Sequence, residues 1–253
     1  MPHAAMSESS RKYWAVVPAA GIGRRMGSST PKQYLELDGK AVIAHTLERL
    51  SHHPAIAGIV VALAPNDPWW PQLNLELPIP VERVEGGTER CHSVCHALAA
   101  LEARGAGEDW VLVHDAARPC VRKDDLQGLI DAVDDEAGGL LAVPVRDTMK
   151  QADGDGRVAK TRDRSGLWHA LTPQLFRVAA LHAALAEAID AGELVTDESA
   201  AMERAGYHPR LVEGHADNIK ITRPEDLPLA EFFLRHQAGE VTSRTLSGLE
   251  DGG

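Results

Sequence analysis

The stretch Pro18-Ala-Ala-Gly-Ile-Gly-Arg-Arg-Met26, with Pro31-Lys-Gln-Tyr34 close behind, gathers the residues best suited to chemistry on a phosphate. Gly21, Gly23 and Gly27 permit φ above zero and close approach of backbone to a ligand. Small residues in the stretch leave backbone N–H groups uncovered, and consecutive exposed N–H groups form a concavity that attracts anions. Arg24, Arg25 and Lys32 add the full positive charge that a polyphosphate calls for. A P-loop would end in Gly-Lys-Ser/Thr, and a dinucleotide fingerprint would carry a third glycine at fixed spacing. Position 26 is Met26 and Gly27 comes one residue late, so neither pattern fits. A plain strand-to-loop turn is the alternative with no chemistry in it.

A second group is His114-Asp-Ala-Ala-Arg-Pro119, which follows an apolar run. A carboxylate at Asp115 can hold Mg2+ beside nucleotide phosphates, directly or through water, or else cap the next turn. The planar fork of Arg118 suits a phosphate on a second substrate. Gly86-Gly-Thr-Glu-Arg-Cys-His-Ser93 places paired glycines before a helix. Gly87, Thr88 and Ser93 could there read the polar edge of a base or ribose, with a helix cap as the plain role of Thr88. Cys91 and Cys95 share one face of that helix, and His92 and His96 lie about 100° round from it. No further ligand group at zinc spacing follows, so buried thiols and surface histidines are expected rather than a metal centre. The remaining candidates are dispersed: Thr148 and Arg164, then Thr196 and Asp197, and finally Asp217-Asn-Ile-Lys220 after a strand-like run.

These residues suit attack by a phosphate monoester on a nucleoside triphosphate. Such a dianion has a second pKa near ~6 and needs no general base. The sequence offers no Ser-His-Asp arrangement and no glycine-flanked nucleophilic serine, so covalent catalysis has little support. Dispersed cations suit an in-line displacement driven by positioning and charge stabilisation. Arg25 and Lys32 would neutralise the α-phosphate, while Arg164 and Lys220 would hold and aim the incoming phosphate.

The elements that must position these groups are legible as a pattern. Short, mostly unalternating apolar runs at 14–18, 56–64, 81–84, 110–114, 140–145 and 210–213 predict strands buried on both faces. Helical patterns at 42–50, 91–103, 124–135, 178–191, 197–205 and 224–236 lie between and after them, and Thr222 with Glu225 predicts a capping box for the last. The alternation predicts an α/β domain with a mainly parallel twisted sheet and helices on both faces, whose ligands sit outside the carboxyl ends of the strands. Residues 146–171 break the rhythm, with a hairpin turn at 153–156 that favours a projecting β-arm. Residues 1–12 and 237–253 read as flexible tails around a single domain at 13–236.

Composition narrows the partners. A net charge of −11 over 253 residues argues against a nucleic-acid surface. There is no apolar run of membrane-spanning length and no signal-peptide pattern at the start, and the three cysteines suit a reducing compartment, so a cytoplasmic protein is expected.

The blocks quoted above, joined by Pro144-Val-Arg-Asp-Thr-Met-Lys150, Leu167-Trp-His-Ala-Leu-Thr-Pro-Gln174 and Thr196-Asp-Glu198, together resemble the 2-C-methyl-D-erythritol 4-phosphate cytidylyltransferase family over nearly all of residues 14–234. The first block alone indicates only the wider sugar-nucleotidyltransferase group. The resemblance implies a single Rossmann-like domain with a β-arm, and a homodimer whose arms interlock. It further implies a Mg2+-assisted reaction joining CTP to methylerythritol phosphate with release of pyrophosphate, on the non-mevalonate route to isoprenoids. On this chain it implies that Ala19, Ala20, Gly21 and Gly23 contact CTP, with Gly87, Thr88 and Ser93 around cytosine and Asp115 and Ala116 near ribose and phosphates. Arg25 and Lys32 take the transition-state role. Arg118, Thr196, Asp217 and Lys220 meet the sugar phosphate, with Thr148 and Arg164 from the partner's arm. Position 88 is often aspartate in relatives, so with Thr88 the reading of cytosine is expected to rest more on backbone groups. A ribitol 5-phosphate cytidylyltransferase is the rival within the same chemistry. A dinucleotide-binding oxidoreductase, suggested only by Gly21-x-Gly23, is the rival outside it.

Overall fold

Val16, Val17, Val60, Val61, Leu112 and Val113 have no exposure, the consequence of strands covered on both faces. The computed structural model describes residues 11–21 and 30–250, with side chains to residue 239. Gly23, Arg24, Arg25 and Gly27, and residues 1–10 of the expected tail, lie outside the described residues. In chain order the elements are β1 (Tyr13–Pro18), β2 (Glu36–Leu37), β3 (Lys40–Ala41), α1 (Val42–Ser51), β4 (Ile56–Leu63), β5 (Val81–Glu85), α2 (Arg90–Glu102), β6 (Trp110–Val113), α3 (Lys123–Ala132), β7 (Gly139–Pro144), β8 (Met149–Ala152), β9 (Val158–Arg162), β10 (Trp168–Arg177), α4 (Val178–Asp190), α5 (Glu198–Arg204), β11 (Arg210–Glu213) and α6 (Asp226–Glu250).

Seven strands form one sheet in the order β11-β7-β10-β6-β1-β4-β5, and every pairing is parallel except those of β10. Side chains alternate between the two faces. Ala15, Val17, Ile59, Val61 and Leu112 pack with Ile43, Leu47 and Leu50 of α1 and Leu126 and Leu129 of α3. Val16, Val60, Val111 and Val113 turn the other way, against Val94 and Leu98 of α2 and Leu181 and Leu185 of α4. Fully burying one such side chain stabilises the fold by roughly 1.5–3 kcal/mol. Three from α1 alone therefore rival a typical net stability of about 5–15 kcal/mol. The chain winds outward from β1 through β4 to β5, then crosses to β6 on the other flank of β1. The strand order reverses between β1 and β6, where open α/β sheets bind ligands.

The structure departs from the sequence pattern in four places. The strand β10, inserted antiparallel between β7 and β6, has no counterpart among the predicted runs. Pro173 lies inside it, and proline within an apolar run argues against a strand. The pairing with β7 shifts register between Ala170 and Gln174, so the missing N–H falls at an irregularity. The small hairpin β2–β3 was likewise not predicted, although Asp38 and Gly39, both at positive φ, carry the Asp-Gly hairpin signal. The predicted capping box at Thr222 is replaced by Asp226, whose Oδ2 accepts from the N–H groups of Thr222 and Arg223 at 2.8 and 2.9 Å. Finally, α6 continues through the stretch expected to be a tail. Gln237 is buried and donates to the Cys120 carbonyl and to Asp217 Oδ2, an anchor that hydropathy does not reveal.

The predicted arm is a hairpin of β8 and β9, which pair only with each other among the described residues. It leaves the sheet at the carboxyl end of β7 and returns as β10. No helix among the described residues is long and apolar enough to cross a membrane.

Candidate active site

The carboxyl ends of β1, β5 and β6, with the loop after β11, surround a cavity of about 370 Å³. Ala19, Ala20 and Gly21 form one wall, Gly87, Thr88 and Ser93 a second, and Asp115 and Ala116 the floor between them, with Lys32 and Lys220 at the cationic side. Gln33 holds the first wall. Its Nε2 donates to the carbonyls of Ala19 and Gly21 at 2.7 and 2.9 Å, so both ends of that turn are tied to a buried amide. The Lys32 Nζ donates to the Ile221 carbonyl at 2.9 Å, bringing the first loop against the segment that carries Lys220.

Asp115 is the electrostatic centre. Its Oδ1 accepts from Arg90 Nε at 3.0 Å, and its Oδ2 faces Lys220 Nζ at 2.9 Å and Arg118 Nε at 3.4 Å. Burial opposes ionisation, but the three cations outweigh it and hold the carboxyl well below the usual carboxylate range. A hydrogen-bond chain fixes the backbone beneath. The Asp115 N–H donates to Thr172 Oγ1 at 3.1 Å, and Thr172 Oγ1 lies 3.0 Å from His114 Nδ1. His114 Nε2 lies 3.0 Å from the Arg118 carbonyl. Burial pulls the His114 imidazole down to about 4, so it is neutral at pH 7. A carbonyl only accepts, so Nε2 carries the proton and Nδ1 accepts from Thr172.

Other predicted site residues stand around the cavity rather than on it. The Arg118 guanidinium is buried behind Asp115 and donates to the Asn218 carbonyl at 2.7 Å. Asp217 accepts on Oδ2 from Arg122 at 2.6 and 2.9 Å and from Gln237 at 2.9 Å. Burial works against its charge, and the Arg122 and Gln237 hydrogen bonds keep its pKa lowered. Thr196 is exposed just before Asp197, the residue that caps α5 by accepting from the Ala200 N–H. Thr148 and Arg164 are exposed at the base of the arm, where Arg164 donates to the Arg146 carbonyl.

Sequence reasoning did not single out Gln33, Arg90, Arg122, Thr172, Asn218 or Glu198 for a role. Several lie inside blocks already quoted, but nothing local says that Arg90 meets Glu198 across 108 positions, or Arg122 meets Asp217 across 95.

A model of the 2-C-methyl-D-erythritol 4-phosphate cytidylyltransferase family matches residues 13–236. The chain belongs to that family. It is 55% identical over 229 residues to the enzyme of that name from Pseudomonas putida (strain GB-1), covering 90% of this chain and 96% of the relative. Identity to the one from Ectopseudomonas mendocina (strain ymp) is 58% over 220 residues, covering 86% and 94%. A crystal structure of a 4-diphosphocytidyl-2C-methyl-D-erythritol synthase superposes with a TM-score of 0.78 at 38% identity, covering 89% of this chain and all of that one. This cytidylyltransferase is therefore a nucleotidyltransferase of isoprenoid precursor synthesis. The oxidoreductase and ribitol phosphate alternatives fall with that assignment. The α/β fold with a mainly parallel sheet agrees with that of the solved relative.

Proposed function

We propose that the cavity binds CTP with its triphosphate on the 19–32 loop, and that the phosphate of methylerythritol phosphate attacks the α-phosphate in line, releasing pyrophosphate. The observation that carries the proposal is the meeting of Lys32, Lys220 and Asp115 at one cavity, from three segments far apart in sequence. Lys32, with Arg25 from the same loop, neutralises charge as it develops on the α-phosphate. Lys220 shares the cationic side of the cavity with Lys32 and aims the acceptor phosphate, with Asp115 fixing its ammonium at 2.9 Å. Gly23, which lies outside the described residues, keeps the triphosphate contact that the family resemblance implies for it. Arg118, Asp217 and Thr196 shape the acceptor side.

A divalent cation would enter with the triphosphate. Among the described residues no cluster of three or more His, Cys, Asp or Glu is placed to hold a metal ion, which suits Mg2+, an ion bound chiefly by substrate phosphates and waters. Asp115, the ionised carboxylate on the cavity floor, would hold it. Both of its oxygens already accept from cations, which favours contact through water. When bound, Mg2+ supplies charge neutralisation on the phosphates.

The homodimer is part of the same proposal. The arm is solvated on all sides, Val158 is 65% exposed and Leu167 40%, and Thr148 and Arg164 do not line their own subunit's cavity. A second copy that takes up the arm would receive both residues at its acceptor side. The decisive experiment mixes Arg164→Ala with Lys220→Ala protein and follows pyrophosphate release from CTP, methylerythritol phosphate and Mg2+, with ribitol 5-phosphate and chelated metal as further arms. Mixed dimers rebuild one intact site, so activity is expected to return on mixing and to need both methylerythritol phosphate and the metal. Two inactive parents that stay inactive after exchange of subunits would sink the shared site.

A further inference from the structure

We propose that Thr88 and His92 select the base of the nucleotide by fixing which way a hydroxyl points its proton; this rests on the cavity binding CTP. Thr88 is exposed on the cavity wall, and His92 stands half-buried in the first turn of α2. Thr88 Oγ1 lies 3.0 Å from His92 Nδ1, and the Glu89 N–H donates to that same nitrogen at 3.3 Å. A backbone amide can only donate, so Nδ1 presents a lone pair and the imidazole proton is on Nε2. The Thr88 hydroxyl then donates to His92, and its oxygen turns only lone pairs toward the cavity.

The start of α2 locks this arrangement. Glu89 is its N-cap, its carboxylate accepts from the N–H of His92, and the His92 side chain accepts from the N–H of Glu89. The imidazole is therefore held where Thr88 meets it. Ser93 repeats the polarity beside it. Its hydroxyl donates to the Glu89 carbonyl at 3.2 Å and accepts from the Gly87 N–H at 3.1 Å. Both hydroxyls on this wall thus have their protons engaged inside the protein.

An acceptor-only hydroxyl pairs with an exocyclic amine, which cytosine carries. Uracil has a carbonyl oxygen at that ring position, and two acceptors would face each other. A hydroxyl free to rotate would serve either base. His92 is thus a positioning residue acting through Thr88, and base reading at this wall rests on a side chain rather than on backbone groups alone.

The test measures kcat/KM for CTP and for UTP by pyrophosphate release with methylerythritol phosphate and Mg2+. His92→Phe is expected to lower the CTP:UTP ratio roughly tenfold, about the value of one net hydrogen bond. Thr88→Val is expected to lower it similarly through loss at CTP. Aspartate accepts without help from the imidazole, so Thr88→Asp combined with His92→Phe is expected to restore the ratio. A purely structural role for His92 would instead slow both nucleotides equally, with no rescue. Thermal melts identify any variant that is not folded, and Thr88→Val carries the test if His92→Phe is not. An unchanged ratio in a folded His92→Phe or Thr88→Val protein overturns the proposal, as does wild-type protein that uses UTP as well as CTP. Wild-type protein that uses no CTP at all overturns the nucleotide reading beneath it instead.

Discussion

Arg90 grips Glu198 through two N–H···O bonds of 2.6 and 3.0 Å and turns its Nε to Asp115 at 3.0 Å, so one guanidinium joins the start of α2, the start of α5 and the cavity floor. Burial works against the Arg90 charge, but Glu198 and Asp115 outweigh it and raise its pKa above the usual arginine value. Glu198 itself is fully buried. Glu198→Ala leaves Arg90 half-paired and is expected to cost about 3–5 kcal/mol, the range for breaking a buried ion pair. Glu198→Gln should cost less, since it keeps one acceptor. Urea unfolding checks both, and a wild-type midpoint for Glu198→Ala would show the pair to be idle.

Lys32→Ala is expected to reduce turnover by roughly 10²–10³-fold, the usual cost of removing one donor to developing charge. The fold should persist, because Gln33 rather than Lys32 ties the turn to the carbonyls of Ala19 and Gly21. Circular dichroism and steady-state kinetics on one preparation decide this. Unchanged turnover would remove Lys32 from the mechanism.

His114 gives stability a pH slope of definite sign. Its folded pKa of about 4 lies below the ordinary 6.5, so between those values the unfolded chain takes up a proton that the folded protein does not. Stability should therefore fall as pH drops from about 6.5 to about 4, by up to about 3 kcal/mol. Asp115 acts with the same sign at lower pH: its pKa is lowered in the folded state, so its contribution is present above the ordinary carboxylate value and is lost progressively as pH falls below it. Denaturant unfolding across this range, compared with His114→Asn, isolates the slope, since the carboxylates are common to both proteins. Parallel pH curves for the two would contradict the assignment.

Gly86 is where two walls of the cavity touch. A Cβ there would lie 2.5 Å from Ala20 Cβ and 3.0 Å from Ser93 Oγ. Gly86→Ala is expected to destabilise by about 1–3 kcal/mol through overpacking and to raise KM for CTP as the walls separate. Gly128→Ala is the control: a Cβ in that helix meets nothing within 4 Å, so a gain of about 0.5–1 kcal/mol in stability is expected. Melting curves and CTP titrations would refute the close approach if Gly86→Ala matched wild type in both.

The amino-acid sequence by itself determined the layered architecture, because strands buried on both faces need uninterrupted apolar runs such as Val16-Val17 and Trp110-Val-Leu-Val113, and local composition records that need. It also determined which segments carry the reactive side chains, since Gly87 and Asp115 closely follow such runs and Lys32 and Lys220 lie in the segments that come after them. The antiparallel β10 was hidden because Pro173 breaks the local pattern, while its pairing with β6 and β7 is a long-range fact. Tertiary structure alone decided the partners. Arg118 and Asp217 both read on paper as contacts to the second substrate, and folding commits the first to Asp115 and Asn218 and the second to Arg122 and Gln237. Hydrogen bonds of this kind join chain segments through space, across separations where helix and strand periods carry no information, so the charge that faces the ligand is known only once its neighbours are in place.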